Sequence, residues 1–324
     1  MRDITRARRR WLAPVLLAAI TMVGAGCGDD DEEAASTDTT EEPAGSTESE
    51  SEEESESEAG GSGDAAAMIE ESETLSAIVE EGKITVGTKF TQPLFGLVDP
   101  TAGGEPVGFD VEIAQLIVDE ISEASGEEIE VEFVETPSTI RETAISDGTV
   151  DMVVATYTIN DARKEQIAFA GPYYVAGQDI MVRADDDSIA GIEDLAGKKV
   201  CSAQGSTSLE NLKEMAPEAE LVEYREYVQC ADDLANDRVD AVSTDDVILI
   251  GLIADEGESF KLVDNTFTEE PYGIGMPKDD QAMRDFVNDV LEEIFEDGRW
   301  AEAYESTVGT IVESTPEPPE VDRY

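Results

Sequence analysis

The stretch VDMVVATYTINDARKEQIAFAGPYY, Val150 to Tyr174, predicts a buried strand followed by a polar turn. Val150–Ala155 is an apolar run with the length of a strand covered on both faces. Polar side chains follow at its carboxyl end, at Thr156, Tyr157, Thr158, Asn160 and Asp161. Open α/β sheets bind ligands at the carboxyl ends of their strands, so this turn is a candidate binding site.

Arg163 is the basic residue that follows this turn. It is predicted to lie in the first turn of a helix that Asp161 caps and that begins at Ala162. A cation at that position opposes the helix dipole and needs an anionic partner or solvent. The stretch alone leaves two interpretations open: a contact with an anionic ligand, or a solvent-exposed arginine after a turn.

The charge balance and the missing histidine exclude several classes of function. The 324 residues contain 21 Lys and Arg against 77 Asp and Glu. Such an acidic chain repels nucleic acid and anionic lipid, so neither is an expected partner. The chain has no histidine, which removes Ser/His and Cys/His catalytic pairs and the commonest metal ligand. No GxxxxGK[ST] phosphate loop occurs either. We expect no metal and no cofactor.

Residues 1–27 are predicted to be an export signal. Five arginines up to Arg10 precede an apolar segment, Trp11–Val23, that is short for a membrane span. The tract before Cys27 resembles the lipobox of bacterial lipoproteins, in which the cysteine is lipidated and becomes the new amino terminus. Gly24 departs from that pattern, because the lipobox usually has leucine there, so a plain secretory signal stays an alternative.

Residues 28–73 are predicted to be a disordered acidic tether. The segment contains 19 acidic residues and no Lys or Arg. Such a composition buries too little apolar area to offset the entropy cost of ordering. It would tie the folded part to a lipid anchor on Cys27, or act only as a solubilising tail.

The two remaining cysteines, Cys201 and Cys230, are expected to form a disulfide. An exported domain favours disulfides, and this pair remains once Cys27 is assigned to the anchor. Two buried free thiols are the alternative.

Strands and helices alternate from Thr74 onward, which predicts an α/β fold with parallel sheets. Lys83–Gly87 and Ile129–Val134 are predicted strands, and a helix with Asp110 as its N-cap lies between them. The pattern restarts near residue 178. There, the turn Gln204–Ser208 opens a helix whose backbone N–H groups favour an anion, and Ser243, Thr244 and Asp245 end another strand.

Seven phrases in this order resemble the polar amino-acid solute-binding proteins of ABC importers, over about residues 75 to 305. They are ITVGTKFTQPLFG, GFDVEIAQLI, VDMVVATYTINDARK, PYYVAGQ, LAGKKVCSAQGSTSLENL, DRVDAVSTDDVIL and EEPYGIGMPK. The resemblance implies a type II periplasmic-binding-protein-like α/β fold of two lobes joined by two crossing strands. One lobe is then residues 74–177 plus 270–313, and the other is residues 178–269. Apart from the resemblance, the Pro-rich composition of the chain end predicts that residues 314–324 are a frayed tail.

The resemblance also implies how an amino acid is held. Arg163 matches the family arginine that binds the α-carboxylate, helped by Thr158 and by the turn around Ser206 and Thr207. Asp245 matches the carboxylate that accepts from the α-ammonium, with its neighbour Asp246 as an alternative.

The pocket for the ligand's side chain is expected at the carboxyl ends of the first lobe's strands. Lys89, Phe90 and Gln92 follow the first predicted strand, Lys83–Gly87, where the family contacts the ligand side chain. Thr156 follows the predicted strand Val150–Ala155. A lysine there suits a β- or γ-carboxylate. Two choices stay open at this stage: Arg141 reaches the same space or forms a salt bridge within its lobe, and Tyr157 covers the ligand or packs.

These residues predict a non-enzymatic, monomeric lipoprotein on the outer face of the cell membrane. It would bind an acidic amino acid, with L-glutamate expected and aspartate or glutamine as alternatives, and deliver it to an ABC permease. Two other hypotheses are a binding module that reports to a membrane sensor kinase, and a same-fold dehydratase of cyclic carboxylates, which needs a general acid in the cleft.

Overall fold

The computed structural model describes residues 61–98, 104–257 and 259–324. Its strands are β1 Lys83–Thr88, β2 Thr91–Gln92, β3 Gly96–Val98, β4 Pro106–Val107, β5 Glu130–Glu135, β6 Met152–Val153, β7 Ala168–Ala176, β8 Gln178–Arg183, β9 Lys199–Ala203, β10 Glu220–Tyr224, β11 Ala241–Asp245, β12 Phe260–Leu262 and β13 Glu270–Met276. Its α-helices are α1 Gly61–Glu71, α2 Glu73–Glu81, α3 Phe109–Ser125, α4 Arg141–Ser146, α5 Asp161–Lys164, α6 Thr207–Met215, α7 Tyr227–Ala235, α8 Asp246–Glu256, α9 Gln281–Asp297 and α10 Arg299–Ser306. Within these ranges, no helix has the length and apolar character to cross a membrane.

The first lobe is a five-stranded sheet with the order β5-β1-β6-β13-β7. β1, β5 and β6 are parallel, whereas β13 is antiparallel to both β6 and β7. The core beside it contains a cluster of aromatic rings, in which Phe109 contacts Tyr173, Tyr174, Trp300 and Tyr304. The sheet is therefore mixed, and the predicted parallel sheet is wrong for β13, because this strand returns from the other lobe and enters the sheet from the opposite end.

The second lobe repeats this arrangement with the order β10-β9-β11-β8-β12. β9, β10 and β11 are parallel, and β8 is antiparallel to β11 and β12. The chain passes from one sheet to the other at Gly177, between β7 and β8, and returns between β12 and β13. This architecture confirms the predicted two-lobed α/β fold class.

The predicted disulfide between Cys201 and Cys230 is present and joins β9 to α7. Both cysteines have no exposed surface, and their Cα atoms lie 5.5 Å apart. The bond fastens the helix that begins beside the candidate site to the central part of the second sheet.

Removal of this disulfide is expected to lower the free energy of unfolding by about 3 to 4 kcal/mol, because the bond limits the entropy of the unfolded chain. Urea unfolding of the Cys201→Ala/Cys230→Ala double variant, compared with the wild type, measures the change. Equal unfolding midpoints would show that the bond does not stabilise the fold.

Part of the predicted tether is helical. Gly61–Glu71 forms α1, and Ile69 is buried in the core of the first lobe. The acidic composition of residues 28–73 hid a short apolar segment, Ala65–Ile69, that packs once a core is available. The prediction of disorder is therefore wrong for residues 61–73. The export signal, Cys27 and the tether up to residue 60 lie outside the described residues.

The last residues of the chain pack on the first lobe. The Asp322 N–H donates to the Gly171 carbonyl (2.9 Å), and the Phe169 N–H donates to the Tyr324 hydroxyl (2.9 Å). Arg323 forms an ion pair with Glu292 of α9 (2.7 Å). The predicted fraying of residues 314–324 is wrong for these residues, because β7 is an edge strand whose free backbone groups take partners from the tail.

Candidate functional site

Arg163 lies in α5 at the carboxyl side of β6 and is almost fully buried. The helix is capped by Asn160, whose side chain accepts from the Arg163 N–H, and not by Asp161 as predicted. Three of the guanidinium N–H groups donate within the protein: to Glu142 (3.1 Å), to the Thr158 carbonyl (2.6 Å) and to the Gly205 carbonyl (3.2 Å). A guanidinium has five donors, so two remain for a planar anion such as a carboxylate.

Asp245 ends β11 and is also buried. Its carboxylate accepts from the Tyr272 hydroxyl (2.5 Å) and from the Ser208 hydroxyl (3.3 Å). Burial raises the pKa of Asp245 to about 7, and the nearby Glu270 carboxylate acts in the same direction. A buried carboxylate without a cation among its hydrogen-bond partners is suited to an ammonium group. The Asp246 carboxylate instead forms a hydrogen bond with the backbone, because it accepts from the Val247 N–H (2.7 Å).

Arg163 and Asp245 belong to different lobes, and the residues between them are in contact. Thr158, whose carbonyl holds Arg163, forms a backbone bridge with Tyr272, whose hydroxyl donates to Asp245. Across the cleft, the hydroxyls of Thr158 and Thr207 lie 3.2 Å apart. The Arg163 cation and the Asp245 carboxylate are thus linked through Thr158 and Tyr272.

The turn before α6 brings the second lobe against Arg163. Ser206 uses its hydroxyl as the helix cap, accepting from the Leu209 N–H (3.0 Å), so its side chain supports the turn. Gly205 has φ +75°, and a Cβ there would lie 2.9 Å from the Cα of Thr139 in the first lobe. Only glycine allows this close approach together with the contact to Arg163.

Lys89 is a buried cation at the end of β1. Its exposed fraction is 3%, and its ammonium donates to the Ser138 hydroxyl (2.9 Å). Burial lowers the pKa of Lys89 to about 7, and the neighbouring Arg141 cation acts in the same direction. No ion pair of Lys89 occurs among the described residues, so its charge is uncompensated by a direct partner. Such a lysine favours an incoming anion.

Arg141 and Tyr157 form a stack with Arg163. The guanidinium carbons of Arg141 and Arg163 lie 4.0 and 4.8 Å from the centre of the buried Tyr157 ring. The ring also packs edge-on against Phe169 (4.9 Å). Arg141 donates to the Ala155 carbonyl (3.0 Å), and its Nε has no hydrogen-bond partner in the described part of the chain. Of the two alternatives for Tyr157, the structure shows the one in which the ring packs within the first lobe. Arg141 forms no salt bridge with any residue that the structure describes.

Gln92 lies at the end of β2, and Thr156 lies in the turn after β6. The Gln92 amide donates to the Thr156 hydroxyl (3.1 Å), and both side chains are buried. Phe90 is half-buried, and its carbonyl accepts from the Val98 N–H (3.0 Å). Each predicted site residue except Phe90 thus takes part in one of the contacts described above, whereas the Phe90 ring takes part in none of them.

The sequence analysis missed the residues that hold these groups in place. Glu142 pairs with Arg163, Tyr272 with Asp245, and Ser138 with Lys89. Glu142 directly follows Arg141 in the sequence, and Tyr272 lies in the EEPYGIGMPK phrase, but nothing at either position pairs it with a distant charge. The same holds for Ser138.

The protein also contains a cavity of about 880 Å³ away from this cluster. It lies between α1, α2, α4 and the segment before α9, and its lining includes Glu71, Glu73, Asp279, Asp280 and Asp285. None of the predicted site residues lines it. Within the described ranges, no group of three or more Cys, Asp or Glu side chains could hold a metal ion.

Two sheets joined by crossing strands, with a buried cation in the first lobe linked through Thr158 and Tyr272 to a buried carboxylate in the second, are the arrangement of a two-lobed solute-binding protein. Residues 84–310 match the bacterial extracellular solute-binding proteins, family 3, and the chain belongs to this family. The resemblance inferred from the seven sequence phrases is thereby confirmed.

The chain is similar along most of its length to proteins with named ligands. The glutamate-binding protein GluB of Corynebacterium efficiens is 39% identical over 258 residues, which cover 76% of this chain and 87% of that protein. The ABC transporter glutamine-binding protein GlnH of Bacillus subtilis is 37% identical over 244 residues, which cover 75% and 87%. A solved structure of an ancestral arginine-binding protein bound to glutamine is 35% identical with a TM-score of 0.65, covering 70% of this chain and 98% of that one.

Proposed function

We propose that this protein is the amino-acid-binding lipoprotein of an ABC importer and that its ligand is an acidic amino acid, L-glutamate. The observation that carries the proposal is the composition of the cluster. Arg163 and Asp245 offer a cation and a carboxylate for an amino acid's backbone, and Lys89 with Arg141 adds buried positive charge beside them. The protein is a binder and not an enzyme.

The α-carboxylate binds the two free N–H groups of Arg163, and the α-ammonium binds Asp245. These contacts come from both lobes, so the ligand stabilises the arrangement in which the lobes touch. In this structure they touch at Thr91 and Glu226, whose hydroxyl and carboxylate lie 3.0 Å apart, as well as at Gly205. We therefore propose binding by closure of the lobes, and delivery of the closed form to a membrane permease.

The distal carboxylate binds Lys89 and the uncompensated Arg141. A glutamine side chain would accept hydrogen bonds from the same groups but would leave the charge without a counterion, which is unfavourable in a buried site. Both glutamate- and glutamine-binding proteins occur among the similar proteins, so glutamine is the main competitor. Lipidation of Cys27 would keep the protein on the outer face of the cell membrane.

A thermal-shift screen of the common amino acids at fixed salt tests the ligand. A ligand that binds only the folded protein raises the unfolding midpoint by mass action. We expect the largest rise with L-glutamate, smaller rises with L-aspartate and L-glutamine, and none with lysine. A rise with basic or apolar amino acids and none with glutamate would contradict the proposal.

The pH dependence of binding is expected to differ between glutamate and glutamine. Asp245 has a pKa near 7 when the lobes are in contact, and a bound ammonium lowers it, so the affinity for both ligands falls as the pH drops below about 7. Lys89 also has a pKa near 7, and a bound carboxylate raises it, so the affinity for glutamate alone falls as the pH rises above about 7. Calorimetric titrations between about pH 5 and 8.5 measure both profiles. Identical alkaline behaviour of the two ligands would exclude Lys89 from the contact.

A further inference from the structure

Asp110 is a buried carboxylate whose side chain points toward the candidate site and not toward its own helix end. The sequence predicts it as the N-cap of α3, but α3 begins at Phe109, and Gly108 occupies the cap position without a side-chain hydrogen bond. Asp110 has no exposed surface. Its two oxygens accept from the Thr156 N–H (2.9 Å) and from the Tyr173 hydroxyl (2.5 Å). The prediction of Asp110 as the N-cap is thus wrong, and its carboxylate instead binds Thr156 and Tyr173.

Thr156 needs such a partner because its backbone is in an unfavourable conformation. Its φ is +44°, in the left-handed region that β-branched residues rarely adopt. The neighbouring groups are also fixed: Gln92 donates to the Thr156 hydroxyl (3.1 Å), and Arg141 donates to the Ala155 carbonyl (3.0 Å). The peptide between Ala155 and Thr156 is therefore held from three directions, and Asp110 provides the contact to its N–H.

This peptide controls the position of the groups proposed to bind the ligand. Two residues later, the Thr158 carbonyl accepts from Arg163 (2.6 Å), and the Thr158 hydroxyl meets Thr207 of the second lobe. If Thr156 relaxed to a negative φ, its peptide would rotate, and Thr158 would move with it. Small displacements of this kind weaken contacts that require aligned hydrogen bonds.

We propose that Asp110 is a positioning residue for ligand binding, which acts by holding the Thr156 amide and, through it, Thr158 and Arg163. The inference rests on the proposed function, since it assumes that Thr158 and Arg163 contact the ligand. A second explanation is purely electrostatic: the charge of Asp110 balances Lys89 and Arg141. Asparagine at this position separates the two, because its oxygen still accepts from Thr156 and its amide can donate to the Tyr173 oxygen, while the charge is lost.

The test compares D110A and D110N with a matched control in the same lobe. Asp151 makes the same type of contact at the other end of the sheet, where its carboxylate accepts from the Thr85 N–H (2.7 Å). L-Glutamate affinity of the full-length variants is measured by calorimetry, and amide hydrogen exchange of peptides covering residues 150–160 is measured without ligand. D110S, whose side chain is too short to reach Thr156, replaces D110A if that variant does not fold.

We expect D110A to lose about 10- to 100-fold in affinity and to exchange faster at residues 150–160, as expected for a lost buried hydrogen bond. D110N should stay within about 3-fold of the wild type in affinity and keep its exchange protection. D151A should lose thermal stability but not affinity. An equal loss in D110N and D110A, or in D151A and D110A, would overturn the proposal, and so would unchanged exchange in D110A. If the wild type bound no amino acid, the proposed function would fail, but the exchange measurement would still decide whether Asp110 holds Thr156.

Discussion

Arg163→Ala is expected to reduce the affinity for every α-amino acid by about 30-fold or more. The guanidinium offers its two remaining donors to the ligand's carboxylate inside a buried site, and truncating one side of such a charge pair costs on the order of 2 to 5 kcal/mol. Isothermal titration with L-glutamate and L-glutamine measures the loss. The loss should be similar for both ligands, because they share the α-carboxylate.

Two further variants show whether this loss is specific. Arg163→Lys keeps the charge but loses the planar fork, so we expect an intermediate affinity. Arg299→Ala removes an arginine of the same lobe that pairs with Glu120, Glu293 and Asp297 far from the site. It should leave the affinity unchanged. Near-normal binding by a folded Arg163→Ala protein would remove Arg163 from the site.

Lys89→Gln is expected to lower the affinity for glutamate by about 10- to 100-fold and the affinity for glutamine by less than about 3-fold. Glutamine at position 89 keeps much of the side-chain length and a donor for Ser138, but it removes the positive charge that faces the distal carboxylate. The ratio of the two dissociation constants, measured by calorimetry at pH 7, is the decisive quantity.

Lys83→Gln is the matched control for this prediction. Lys83 lies at the opposite end of the same strand β1, where it is exposed and pairs with Glu132. A surface ion pair contributes little to stability. Its removal should therefore change neither the affinity for glutamate nor the affinity for glutamine. An equal loss for glutamate and glutamine in Lys89→Gln would refute charge pairing between Lys89 and the distal carboxylate.

The alternation of strands and helices and the charges at strand ends could be predicted because both are local features, whereas the two lobes were implied only by the resemblance of the seven phrases. Val150–Ala155 predicted a buried strand, and the polar residues after it and after β11 are at carboxyl ends, where a sheet collects its binding groups. The disulfide also followed from the cysteine count and the expected compartment.

The partners of these charges could not be predicted, because they come from distant parts of the chain. Tyr272 reaches Asp245 from 27 residues away, and Asp110 reaches Thr156 from 46 residues away. Pairings of this kind depend on how helices and strands pack. The errors in helix caps have a simpler cause, since Asn160 and Asp161 are adjacent residues with similar preference for the cap position.

The most direct test of the central claim is a crystal structure of the protein grown with L-glutamate. Our interpretation predicts one amino acid between the lobes, with its α-carboxylate at Arg163, its ammonium at Asp245 and its distal carboxylate at Lys89, each at hydrogen-bond distance of roughly 3 Å. A ligand held by one lobe alone, or bound elsewhere, would contradict it.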